Sequence, residues 1–376
     1  MNTQTPPIPA LPRTPIPGGS IIRHPHGNWG ECYLTMTAQK GDDALALFRR
    51  AARWMDEEDA RIVNAHVFSA RAMAPEACAI LHINRAPFPI TWVDDVTGLP
   101  PFGGIFLHAV TGDMEVQNLE CGGRTIGSVY GPDDARVALL GDLRPTCINL
   151  PPGEQTSGVL ADIDAALAGA GMNFSHVVRT RFYLDRILDW YDEFNRVRTG
   201  FFNQHRVFDG LVPASTGIGA ANPAETAILA ALIAVKGPEK QVESAAVDSP
   251  LQGAATAYGS SFSRAVESRL PDHRRLMISG TASIDLSGAT THVGDIHGQI
   301  QTTFDVVGAL LESRGMQWDD VVRGIAYFRH PHEAPALEDF LSRGDVPRIP
   351  LILSHSVVCR DNLLFELEVD AIRADL

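Results

Sequence analysis

The sequence predicts an α+β fold in which one sheet-plus-helix unit occurs three times and the copies close around a pseudo-threefold axis. Three observations carry this reading. Three segments share the same order of strand and helix patterns. The distance from the second strand of each segment to the Pro that opens its next strand is similar throughout. The strand runs are rich in Val, Ile, Tyr and Phe, whereas the helical runs carry apolar residues at i, i+3 and i+7, so each unit buries one face of a sheet under helices.

The third copy is the plainest. Arg275 to Asp285 (RLMISGTASID) reads as a strand, Gly294 to Gly315 as a helix with Phe304, Val307 and Leu311 on one face, and Asp319 to Arg329 (DDVVRGIAYFR) as a second strand. A polar helix (HEAPALEDFLSR), a strand from Pro350 and the closing strand LLFELEVDAI follow. The middle copy matches it: ARVALLGDLRPT from Ala135, a helix over Thr156 to Gly171 with Leu160, Ile163 and Leu167 aligned, SHVVRTRFYLD from Ser175, the helix WYDEFNRVRTGFF, a strand from Pro213 and TAILAALIAVKG. The first copy is worn but recognisable in ECYLTMTAQKG from Glu31, DDALALFRRAARWM, ARIVNAHVFSA from Ala60, PITWVDD from Pro89 and GGIFLHAV from Gly103. The second-strand valine precedes the Pro by 26 residues (Val63 to Pro89), 35 (Val178 to Pro213) and 28 (Val322 to Pro350). The expected organisation is a Pro-rich extended tail over 1–19 and units over 20–115, 124–237 and 264–376, joined by a Gly-rich link (Glu115 to Pro132) and an Ala/Ser/Gly-rich one (Gly237 to Ser263).

Composition narrows the function. A chain of 376 residues, 45% hydrophobic and 20% charged, buries real cores and is not disordered. Its longest uncharged apolar run, Thr226 to Val235, is far short of the roughly 20 residues of a membrane span. The first residues lack the basic and apolar regions of a signal peptide. Cys32, Cys78, Cys121, Cys147 and Cys359 are odd in number and scattered, with no CxxC, which suits reduced thiols in the cytoplasm. A net charge of −14 repels phosphate backbones, so nucleic acid is not the expected partner, and an anionic ligand has to be held by a few local arginines. GxxxxGK[ST], GxSxG and HExxH are absent, and GIGAAN from Gly217 fails the third position of GxGxxG. No metal and no organic cofactor is expected. The HPH tripeptides at His24 to His26 and His330 to His332 have a chelating spacing, but turn or surface histidines beside proline are the more usual outcome.

Strand alternation picks out candidate residues. In HVVRTRFYL, Val178, Thr180, Phe182 and Leu184 form the helix-facing set, leaving Arg179, Arg181 and Tyr183 on the opposite face. Two arginines suit the two carboxylates of a small dianion; the alternative is an ion-paired stripe on an exposed sheet face. In LLFELEVDAI, Phe365, Leu367 and Val369 face one way and Glu366, Glu368 and Asp370 the other. Buried together, one of these carboxyls has a raised pKa and becomes a general acid; otherwise the row is a solvated edge or pairs with Arg323 and Arg329. Cys359 is either a small buried apolar residue or a group that shapes the pocket.

The third copy, through SGTASIDLSG, GDIHGQIQTTFDVVGALLESRGMQWDDVVRGIAYF and FELEVDAI, resembles the YjgF/RidA (Rid) family, as does the second through INLPPGEQT and ALAGAGMNFSHVVRTRFYLDRILDWYDEFNRVRTGFF. Rid proteins are homotrimers of a chorismate-mutase-like α+β fold, so the resemblance implies a pseudo-trimer in one chain, and a monomer. Imine-hydrolysing Rid proteins carry an arginine in a PxRS-type strand start. Here those positions read Pro213-Ala214-Ser215-Thr216 and Pro350-Leu351-Ile352-Leu353, without it. A three-part Rid-like chain is similar instead to the chorismatases, which implies chorismate as substrate, pyruvate and a hydroxybenzoate as products, arginines on the two carboxylates, and a last-strand glutamate that protonates the enolpyruvyl methylene. The resemblance places that acid at Glu366 and puts Cys359 where members forming 3-hydroxybenzoate carry a cysteine. Arg179, Arg181, Tyr183, Thr216, Gly217 and Glu368 are the expected substrate-binding residues. A Rid-type deaminase and a non-catalytic metabolite-binding protein are the alternatives.

Overall fold

The computed structural model describes residues 10–95 and 100–374; residues 1–9 of the expected tail lie outside the described residues. Three six-stranded sheets of identical strand order make up the chain. The first runs β1-β2-β3-β6-β4-β5, from β1 (Arg13–Ile16), β2 (Gly19–His26), β3 (Trp29–Thr37), β4 (Arg61–Ser69), β5 (Ile90–Asp94) and β6 (Gly104–Gly112), with helices α1 (Ala46–Glu57) and α2 (Ala74–His82). The second contains β7 (Gln117–Cys121), β8 (Arg124–Tyr130), β9 (Arg136–Leu143), α3 (Pro152–Gly169), β10 (Val177–Leu184), α4 (Ile187–Gln204), β11 (Ala214–Gly219) and β12 (Ile228–Lys236). The third contains β13 (Glu243–Val247), β14 (Ala265–Arg269), β15 (His273–Ala282), α5 (Ile296–Ser313), β16 (Val321–Phe328), α6 (Pro335–Ser342), β17 (Leu351–His355) and β18 (Phe365–Ala374). In each sheet the second long strand and its Pro-led neighbour run parallel (β4/β5, β10/β11, β16/β17), because a helix crosses between them.

Each sheet buries one face under its own two helices. In the second unit Leu160, Ile163 and Leu167 of α3 pack with Phe182, Leu184 and Ile228. The other faces meet at a common centre, where Tyr33 and Phe106, Tyr183 and Leu229, and Ile325 and Tyr327 belong to one apolar cluster drawn from all three units. This is the expected pseudo-trimer. Backbone bonds stitch its boundaries, from Asp94 N to Ala221 O, Gly219 N to Val357 O, and Gly103 N to Leu353 O.

The structure draws the units wider than the sequence does. The two segments read as links supply β7, β8 and β13, outer strands of sheets two and three, and part of the tail supplies β1. These hairpin strands are short, polar or Gly-rich, so they lack the Val/Ile signature. One facing was also read incorrectly. Each second strand carries a register shift at the same place, at Ile62/Asn64, Val177/Arg179 and Val321/Arg323. The extra residue of such a bulge reverses the alternation locally. Val177 therefore joins the helix-side core, and Val178 turns with Val63 to the inner side. Among the described residues no helix is long and apolar enough to cross a membrane.

Candidate active site

The inner faces of β10, β16 and β18 bring arginines and carboxylates together with almost no solvent. Glu368 receives Arg181 Nε at 2.6 Å and Arg179 Nη2 at 3.0 Å, together with Arg323 Nη1. Arg181 also binds Asp370, which lies 3.4 Å from Arg323. Burial opposes ionisation of Glu368, but Arg181, Arg179 and Arg323 outweigh it and hold the carboxyl well below the ordinary range. Arg179 also donates to Ile278 O at 2.8 Å and Thr216 Oγ1 at 2.9 Å, while its Nε has no partner among the described residues. Arg179 and Arg181 thus form neither an exposed stripe nor a pair of uncommitted carboxylate binders; they are internal ion partners of the third unit. Arg323 joins them as expected, whereas Arg329 turns away to Asp361. Tyr183 is fully buried beside this network, 6.3 Å from the ring of Phe68.

Glu366, two residues along the same face of β18, is in a different situation. It is 5% exposed and makes no hydrogen bond or ion pair among the described residues. Burial, with the Glu368 charge adding to it, pushes its carboxyl up to about 8. The carboxyl lies against the backbone of Gly280 on β15, where a Cβ would come within 2.0 Å of Oε1. Gly280 N donates to Thr216 Oγ1 at 3.0 Å, which ties β11 of unit two to β15 of unit three at this point.

Gly217, Gly280, Cys359 and Tyr191, all partly buried, gather at this boundary around Glu366, with the Tyr191 hydroxyl 3.7 Å from where a Cβ on Gly217 would stand. Burial, with the Glu366 charge adding, raises the Cys359 thiol to about 12, so it stays protonated. On α4, Trp190, Phe194, Arg198 and Phe202 form one i, i+4 row that is buried throughout. The Arg198 guanidinium stacks 5.0 Å from the Phe194 ring centroid, and Nη2 donates to Asn195 Oδ1 at 2.8 Å. Among the described residues Nε has no partner, and no carboxylate pairs with this arginine. Burying an uncompensated guanidinium is costly, so the position suits an anion from outside. Arg264 of β14's approach contributes a second positive charge felt by Glu366. Sequence reasoning missed both arginines. An arginine inside the aromatic row 190/194/198/202 was the available signal.

Thr216 and Gly217 are therefore divided, the first committed to Arg179 and Gly280 N, the second partly buried beside the Tyr191 hydroxyl. Among the described residues one group has the make-up to hold a metal ion, His24, His26, Asp272 and His273, at the boundary of units one and three.

The profile of the Endoribonuclease L-PSP family matches residues 146–243. No curated protein matches the sequence. A solved chorismatase structure aligns with a TM-score of 0.64 at 18% identity, covering 90% of this chain and 98% of that one. An endoribonuclease L-PSP from Entamoeba histolytica (18% identity, TM-score 0.29) covers 34% of this chain and 98% of its own. The YjgF gene product of E. coli covers the same shares, at 18% identity and a TM-score of 0.28. The chain thus has three YjgF/RidA-like units joined in one polypeptide, the architecture of the solved chorismatase.

Proposed function

We propose that this protein cleaves chorismate, releasing pyruvate and 3-hydroxybenzoate, with Glu366 as the general acid. The observation that carries the reading is the protonated, unpaired Glu366 carboxyl at a unit boundary that also holds Arg198, whose Nε has no partner among the described residues. Chorismate has one carboxylate on its ring and one on its enolpyruvyl arm. Arg198 and Arg264 are the cationic groups we assign to them, in place of Arg179 and Arg181. Glu366 gives its proton to the terminal methylene carbon, the positive charge spreads onto the ether oxygen, and the bond from that oxygen to the ring breaks as the pyruvate ketone forms. The hydroxyl on the neighbouring ring carbon closes on the resulting ring cation, its proton passing to the Glu366 carboxylate; the epoxide so formed opens at the carbon that first bore the hydroxyl as its oxygen takes that proton back, and the carbon that carried the ether then loses its hydrogen as a proton to the carboxylate while the ring becomes aromatic, which leaves the hydroxyl at position 3. Atoms balance without water, and Cys359 fills space beside the acid that a water would otherwise take. Chorismate incubated with the pure protein, with pyruvate read by a coupled reductase and aromatics by chromatography, tests this; release of neither product sinks it.

The deaminase alternative loses further ground, because Ser215, at the arginine position of the Rid motif, accepts a hydrogen bond from Thr180. We also propose a cytoplasmic monomer. All five cysteines are free, and the ring of units is already closed within one chain. Light scattering is expected to give a mass near 40.7 kDa; a stable mass of three chains would contradict the monomer.

A further inference from the structure

We propose that His24, His26, Asp272 and His273 form a structural zinc(II) site that fastens the first unit to the third. One ligating atom from each of the four lies within 4.8 Å of all the others. Four tetrahedral zinc ligands, with bonds of about 2.0–2.1 Å, stand roughly 3.4 Å apart, so small side-chain movements close the site. His24 and His26 are i and i+2 on extended β2 and share a face; Asp272 ends the turn between β14 and β15, and His273 opens β15. Pro25, between the two histidines, lies beyond the last residue that pairs with β1, so its missing N–H interrupts no ladder there.

The imidazoles are assembled as ligands are. The His24 and His26 ring centroids are 3.9 Å apart and those of His24 and His273 4.6 Å. Asp272 stands 2.6 Å from Nδ1 of His26 and 2.6 Å from Nδ1 of His273, so a cation at Asp272 replaces protons now shared there. His24 is 3% exposed, and its Nδ1 lies 3.4 Å from Glu31 Oε2, so the same carboxylate stands behind both histidines of β2.

The surroundings match a zinc site too. Glu31 Oε2 lies 3.2 Å from Nε2 of His26, the carboxylate behind a ligating histidine that fixes its tautomer. Arg275 does not contribute uncompensated charge, since both Glu31 oxygens bind it at 2.8 and 2.7 Å. Ligation of His273 through Nδ1 moves its proton to Nε2 and gives up the bond from Arg275 Nε, while the two Glu31 bonds remain. A cavity of about 440 Å³ bordered by His26, Trp29, Tyr130, Asp272 and His273 gives the ion a way in. Three imidazoles and one carboxylate select zinc over magnesium or calcium, and four protein ligands make a closed, structural centre. It stands apart from Glu366, at a different unit boundary, so it acts on stability and not on chorismate chemistry.

The test uses untagged, chelator-dialysed protein titrated with zinc(II) alone against a chromophoric competitor, and with cobalt(II) as a spectroscopic probe. One equivalent of zinc is expected, with tetrahedral cobalt bands in the visible and a melting temperature that climbs with free zinc. Asp272→Ala and His26→Ala each lose all three signals. Asp272 is half exposed, so Asp272→Ala is expected to fold, which circular dichroism checks; Asp272→Asn serves if it does not. Sub-stoichiometric binding by wild-type protein overturns the proposal, as do binding that survives in both variants and six-coordinate cobalt spectra without a melting shift.

Discussion

Glu366 and Glu31 are both enclosed carboxyls on the central strand face at a unit boundary, yet they are held in opposite protonation states. Glu31 takes two bonds from Arg275, one from the Tyr130 hydroxyl at 2.5 Å and one from His108 at 3.1 Å. Burial resists its charge, but Arg275 and the surrounding histidines overcome that resistance and keep its pKa well below the carboxylate range. Glu366 has the same burial and none of the donors, so it keeps its proton. The lesson is that at equal burial the partners decide: a fully satisfied carboxylate anchors the fold, and an unsatisfied carboxyl is left available as an acid.

The largest effect expected from this contrast is on stability. Glu31→Gln leaves the buried Arg275 without its counter-charge, and breaking a pair of this kind costs about 3–5 kcal/mol, read by urea unfolding at pH 7. Glu368→Gln, which deprives three arginines at once, belongs to the same class. If either variant unfolds at the wild-type urea midpoint, the anchoring half of the comparison fails.

Glu366→Gln is the opposite case. It keeps the shape and removes the proton, so turnover falls by at least roughly 100-fold while the unfolding midpoint at pH 5 is unchanged. Retained turnover here together with loss in Glu368→Gln would move the acid two residues along β18. The pH dependence has a definite sign. Because the folded-state value of Glu366 is raised to about 8, its contribution to stability is complete below the ordinary glutamate value and declines as pH rises toward 8, by up to about 1.4 kcal/mol per pH unit. Wild-type protein should therefore weaken relative to Glu366→Gln between pH 5 and 8, and kcat/KM should fall above that range. Parallel stability curves for the two proteins would mean that Glu366 is ionised in the fold.

Much of this contrast was legible in the sequence, and some of it could not be. The Glu366/Glu368/Asp370 face follows from period-2 alternation alone, and β18 carries no bulge among these residues to disturb it. Which carboxyl keeps its proton did not follow, because Glu368 is neutralised partly by Arg179 and Arg181, nearly 190 residues away along the chain. Alternation also failed at Val178, where a bulge breaks the period. The histidine group joins β2 to the start of β15 and the turn before it, a pairing that no local pattern encodes.

Arg198 ranks next. If it holds a substrate carboxylate, Arg198→Met keeps the packing against Phe194 and removes a charge-assisted bond of about 1.5–3 kcal/mol, so KM rises roughly 10- to 100-fold. The same change at Arg181 should instead lower the unfolding midpoint, because Arg181 serves Glu368 and Asp370. An unchanged KM in Arg198→Met places the anion elsewhere around Glu366.

Cys359→Ala is expected to have the smallest effect on rate and the most informative one on products. The thiol is protonated and so contributes no thiolate nucleophile, and its removal should leave total pyruvate release within a few-fold of wild type. Alanine, however, opens room for roughly one heavy atom beside the Glu366 carboxyl, where a water can find partners. A water there can add to the ring cation before it becomes aromatic, diverting chorismate from 3-hydroxybenzoate to the dihydrodiol. Chromatography of the two aromatic-ring products, at equal pyruvate release, measures the ratio. A shift toward the diol supports Cys359 as the group that keeps water from the acid, and an unchanged ratio would mean that other groups exclude it, leaving Cys359 a packing residue of the boundary between units two and three.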